Sequence, residues 1–125
     1  MAFAREIMGG GISAGAARAI CGQGASLAAT GTVQGDAALV KASTTIVTAA
    51  DGNTGVILPA SKAGEWCTLF NNSGSTLKVY PPTGAAISVA GTGLGSANTA
   101  FSQLTYKSTM YICQSSTQWF AITSA

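Results

Sequence analysis

The chain has 125 residues, the length of one domain with a single core. Charged residues are 8% of it, against about 25% in ordinary soluble domains, and six basic and four acidic residues leave a net charge of +2. The absence of histidine excludes Ser-His-Asp and Cys-His catalysis, and the singly scattered charges argue against a phosphate-neutralising nucleic-acid patch. A coat so poor in Lys and Glu suits a surface covered in its working state, or a Ser/Thr-rich β module.

Residues 1–38 are rich in Ala and Gly and poor in bulky groups. The opening MAFAREIMGGGISAGAARAICGQG is interrupted by Glu6, Gly9–Gly11 and Arg18, so it reads neither as a signal peptide nor as a membrane span. Ile20 is too large for a lipoprotein cleavage site before Cys21, and synthesis in a cytoplasm is the expectation. Ile7, Met8 and Ile12 have rough helical spacing, but the intervening glycines cost about 1 kcal/mol each relative to Ala. The stretch is expected to be an extended or partly helical arm that finds a partner surface. Phe3, Arg5, Ile7, Met8, Ile12, Arg18 and Ile20 are its candidate contact residues.

Strand signals begin at Leu39, and 39–125 is expected to be the folded domain. LVKASTTIVTAA is β-branched and breaks at Asp51-Gly52-Asn53, a turn signal. GVILP ends on Pro59. EWCTLFNN and STLKVYPP, joined through Asn71-Asn72-Ser73-Gly74, read as a hairpin from Glu65 to Tyr80, with Leu77 and Val79 inward. Pro81 and Pro82 end that strand, because proline donates nothing to a ladder. TGAAISVA, the flexible GTGLGSANT loop, FSQLTY, TMYICQ and TQWFAIT complete the chain.

About seven or eight short strands with polar turns predict an all-β fold, an antiparallel β-sandwich or jelly-roll-like barrel carrying an N-terminal arm. Trp66, Phe70, Leu77, Val79, Phe101, Leu104, Tyr106, Met110, Ile112, Trp119 and Ile122 are expected to supply most of the core.

Little chemistry is encoded. Glu6, Asp36, Asp51 and Glu65 lie in separate segments, whereas a glycosidase needs two facing carboxylates. GTGLGS lacks the Lys-Ser/Thr ending of a phosphate loop. Cys21, Cys67 and Cys113 lack metal-ligand spacing, and Cys67 and Cys113 read as structural thiols, with a disulfide between them left to geometry. Tyr80, Tyr106, Tyr111 and Trp119 are candidates for stacking on sugars or bases, although core duty is favoured for each. No catalytic residue, cofactor, metal or small-molecule substrate is expected.

GVILPASKAGEWCTLFNNSGSTLKVYPPTGAAI, followed by STQWFAITSA, resembles a recurrent module of tailed-phage virion proteins. There a strand ending in LP precedes a Gly-containing turn, an N-rich turn, a K/R-V-Y/F-P-P-x-G-x-x-I segment and a final strand with a Trp. The likeness spans residues 45–125, about two thirds of the chain, and no contact residue carries over from it. The module occurs in small capsid decoration (cement) proteins and within longer tail or fibre proteins.

Standing almost alone, the module implies a non-enzymatic decoration protein on the outer surface of a capsid. The implied partners are the major capsid protein and further copies of the chain, as a homodimer or homotrimer, with no nucleic acid or membrane. The arm would then contact neighbouring subunits. A tail, adaptor or fibre-associated protein is the alternative. A carbohydrate-binding β module using Trp119 and Tyr80 is the third reading.

Overall fold

A computed structural model describes Ser13, residues 24–89 and residues 93–125. Ten strands form two sheets among these residues. β1 (Gly24–Ala28), β3 (Thr44–Ala49), β5 (Trp66–Asn71), β9 (Ser108–Ser115), β10 (Gln118–Thr123) and β7 (Ala86–Val89) lie in that spatial order in a six-stranded sheet. β2 (Ala38–Leu39), β4 (Gly55–Ile57), β6 (Leu77–Tyr80) and β8 (Phe101–Gln103) form the second sheet.

The fold is strand-rich as expected, but its sheets are mixed rather than antiparallel. From β1 to β6 the chain alternates between sheets, so each of β1 to β4 pairs parallel with the strand two positions later. Gly24 faces Thr44, Thr44 faces Thr68, and Gly55 faces Lys78. Parallel neighbours cannot be joined by a tight turn and need a crossover. Here the crossover is a strand of the opposite sheet.

β9 and β10 then form an antiparallel hairpin beside β5, while β8 pairs antiparallel with β6. β7 adds parallel to β10 at the far edge.

Two expectations fail for this reason. Glu65 to Tyr80 is not a hairpin, because β5 and β6 lie in different sheets. The Asn-rich segment between them is a crossover, held by Asn71 Nδ2 donating to the Ser75 carbonyl at 2.9 Å and by Ser73 Oγ donating to Asn71 Oδ1 at 2.6 Å. The boundary expected at residue 38 also falls inside the fold. β1 extends the six-stranded sheet, and Leu27, Ala29 and Ala38 pack on the core.

The core between the sheets contains Val40, Val47, Val56, Leu58, Leu69, Leu77, Val79, Ile87, Tyr111, Cys113 and Trp119. Leu77, Val79 and Trp119 are buried as expected, and Phe101 packs partly buried against them. The remaining expected core residues sit elsewhere. Trp66, Phe70, Met110 and Ile122 face outward, Ile112 is half-buried, and Leu104 and Tyr106 lie exposed beyond the end of β8.

The cause is alternation: β5 sends Cys67, Leu69 and Asn71 inward and Trp66, Thr68 and Phe70 outward. Facing sheets are only about 10 Å apart. Trp119 and Tyr111 already fill much of that layer, and β5 contributes only smaller side chains to it.

The LKVYPP segment behaves as its prolines require. β6 stops at Tyr80, whose carbonyl accepts from the Leu58 amide at 2.9 Å. Pro81 is buried, and its carbonyl accepts from Gln34 Nε2 at 2.7 Å. Gly55 is demanded by this packing, since a Cβ there would lie 2.8 Å from the Tyr80 ring and 2.9 Å from the Lys78 carbonyl.

Candidate interaction surface

The outward positions of β3, β5, β9 and β10 carry no charge. The cross-strand register arranges their side chains in three rows. Ile46, Phe70 and Ser108 form one; Thr44, Thr68, Met110 and Ile122 form the next; Trp66, Ile112 and Phe120 form the third. Ile46, Trp66, Phe70, Met110 and Ile122 are each 37–55% exposed. Neighbouring apolar side chains across a ladder support one another, and the result is a continuous apolar band on a solvent-facing sheet.

At the Phe70 end the band opens into a groove of about 520 Å³ lined by Ile46, Phe70, Asn72, Tyr106, Lys107 and Ser108. Tyr106 forms its wall, 73% exposed, with its backbone in the left-handed region at φ 59°. Such a conformation in a bulky residue persists only where surrounding structure holds it. Here the Tyr106 amide donates to the Asn71 carbonyl at 2.8 Å, and buried Asn71 is anchored in turn to the Gln103 carbonyl at 3.0 Å. The Lys107 ammonium donates to the Ala125 carbonyl at the groove margin.

The residues singled out in the sequence distribute differently. Phe3, Arg5, Ile7, Met8, Ile12, Arg18 and Ile20 lie outside the described residues. Trp119 is fully buried and donates from Nε1 to Ser61 Oγ at 2.8 Å. It therefore cannot stack on a sugar, which removes the carbohydrate site built on Trp119 and Tyr80. Tyr80 is half-buried, its hydroxyl donating to the Thr32 carbonyl, and Tyr111 is buried. Of the four stacking candidates only Tyr106 is exposed.

The described carboxylates have local duties. Asp36 Oδ1 accepts from the amides of Thr32 and Val33 at 3.1 and 3.0 Å. Asp51 Oδ1 accepts from the amides of Asn53 and Thr54 at 2.9 Å each, which holds its carboxyl below the usual carboxylate range. Glu65 is exposed just before β5.

Cys67 and Cys113 are free buried thiols, not a disulfide; burial pushes Cys67 up to about 12 and raises Cys113 as well. Among the described residues no group of three or more potential ligands is placed to hold a metal ion, and no helix is long and apolar enough to cross a membrane. Residues 93–96 of the Gly-rich loop run without helix, and the Gly95 amide donates to Ser88 Oγ at 2.8 Å.

Trp66, Phe70, Met110 and Ile122 of the outer band are expected core residues that face solvent instead. One signal in the sequence distinguishes the band: EWCTLFNN has apolar groups on both alternating faces, as a strand covered on both sides would. No protein-family model, curated protein or solved structure matches the chain.

Proposed function

We propose that this protein is a structural, non-enzymatic virion component. It binds the outside of a tailed-phage capsid, stabilises it as a decoration protein, and is made in the host cytoplasm. The observation that carries this reading is the uncharged apolar outer face of the six-stranded sheet, a surface suited to burial against protein in an assembly. The resemblance of residues 45–125 to phage virion modules supplies the kind of assembly. The partners are the major capsid protein and further copies of this chain, with the N-terminal residues reaching neighbouring subunits. Contacts that are weak singly become firm when repeated over a symmetric shell.

Gel densitometry of purified particles against the major capsid protein tests the reading. A decoration protein is present in hundreds of copies, and cosedimentation of added protein with undecorated capsids saturates at that number. About 3 to 12 copies would instead assign it to a symmetric tail component, and absence from particles would overturn the virion reading altogether.

A further inference from the structure

The apolar face has the layout of one half of a two-fold contact. Trp66 stands at one end of β5 and the groove beside Phe70 at the other, with the Thr68–Met110 row between them. Four residues of strand separate the two ends by about 13 Å. A two-fold axis lying in the face along that row reverses the strands. It carries Trp66 of each copy over the groove of the other. We propose that the outer face of the six-stranded sheet is the isologous interface of a homodimer, in which each copy's Trp66 seats in the other's Ile46–Phe70–Tyr106 groove.

Three observations favour a second copy over another occupant. Knob and groove are on the same surface at equal distances from a central row, the self-complementarity that an isologous contact requires. The strand positions of the face carry no charge, and the axis keeps Lys107 at one copy's groove on the far side from Lys107 of the other, so meeting its own copy opposes no like charges.

The area also fits. At their observed exposures, Ile46, Trp66, Phe70, Met110 and Ile122 present roughly 400 Å² of apolar surface, taking about 150–250 Å² for a full aromatic side chain. A standard interface takes about 800 Å² per partner, a little over half of it apolar. With half-buried Ile112 and Phe120 added, one face meets that requirement. Two such sheets would pack about 10 Å apart with strands within about 30° of alignment.

This inference rests on the reading of the face as a contact surface, but its test needs no capsid. Sedimentation of the full chain should give a dimer at about 100 µM that dissociates on dilution. Trp66 fluorescence should shift to longer wavelength as it does, while buried Trp119 stays constant. W66K and F70D should each weaken the dimer by about 30-fold or more while keeping the far-ultraviolet spectrum.

The two variants mixed should recover a heterodimer, because one contact becomes Lys opposite Asp and the other remains Trp opposite Phe. A wild-type protein that stays monomeric at that concentration overturns the proposal. So does a dimer indifferent to both substitutions, or a mixture that stays monomeric. A monomer that still decorates capsids overturns the dimer alone, whereas a dimer that fails to decorate overturns the capsid reading and leaves the dimer standing.

Discussion

The Tyr111 hydroxyl donates a 2.8 Å hydrogen bond to Gln103 Oε1, and both side chains are fully buried between the sheets. Tyr111 belongs to the six-stranded sheet and Gln103 to the four-stranded one, so the bond ties the layers together. Gln103 Nε2 completes the tie by donating to the carbonyls of Leu69 and Lys107 at 2.8 and 2.9 Å. Burial also raises the Tyr111 phenol well above its usual range, which keeps it a donor.

Removing the amide should therefore cost more than removing the phenol. Gln103→Leu leaves the Tyr111 hydroxyl and the Leu69 carbonyl buried without this partner. The expected loss is about 3 kcal/mol, or roughly 10 °C in Tm. Tyr111→Phe orphans Gln103 Oε1 but leaves both Gln103 Nε2 bonds in place, and should cost about 1–2 kcal/mol. Urea denaturation of both variants checks the order, and equal losses would contradict the bridging role.

Thr45 offers the opposite case. Its side chain is buried on the inner face of β3, and Oγ1 finds no hydrogen-bond partner among the described residues. A buried polar group left unpaired is costly, whereas an apolar group of the same shape is not. Thr45→Val should raise stability by about 1 kcal/mol and Tm by roughly 4 °C, read by calorimetry. A loss of stability would mean that the hydroxyl is satisfied in solution.

Cys67 sets an alkaline limit. Its folded pKa is raised to about 12 by burial, with the Glu65 charge adding to the shift, against about 8.5 for an exposed thiol. The unfolded chain thus loses this proton first. The contribution is fully present below pH 8.5 and is lost as pH rises from there toward 12. In a Cys21→Ser background, Cys67→Ala should flatten the fall of urea midpoint with pH above about 9. At pH 8 a thiol reagent should modify Cys67 and Cys113 only on unfolding. Rapid labelling of the folded protein would contradict their burial.

The sequence revealed particular parts of this architecture and concealed others for physical reasons. Asp51-Gly52-Asn53 was legible because an Asx side chain and a glycine at φ 91° encode a turn locally. Leu77 and Val79 were legible because Lys78 between them marks the other face. Strand pairing was not legible, because nothing in the spacing of Thr44 and Thr68 distinguishes a parallel crossover from a hairpin.

The inner and outer faces of β5 and β9 were also hidden. Alternation separates Trp66 and Phe70 from Cys67 and Leu69, but with no charge on either set it does not label the interior. The same missing charge that obscured the face in the sequence makes it suitable for assembly. Strands within residues 24–38 are not encoded locally, because Ala and Gly are poor strand formers and the pairing there is imposed by β3 and β4.

Two N-terminal truncations differ in what they remove from the sheets. Every described strand lies between Gly24 and Thr123, so removal of residues 1–23 deletes none of them. Removal of 1–38 takes away β1, the Thr30–Gly55 bridge and the first residue of β2. It also removes Leu27 and Ala29 from the core margin and Gln34 from the Pro81 carbonyl, and it bares the edge of β3. An unpaired sheet edge invites association with other chains. The longer deletion should therefore be the less stable of the two, by about 2–4 kcal/mol, and should aggregate on warming. If the N-terminal residues carry the capsid contact, the 24–125 protein will remain folded and fail to cosediment with capsids. Full binding by that protein would move the contact onto the β domain.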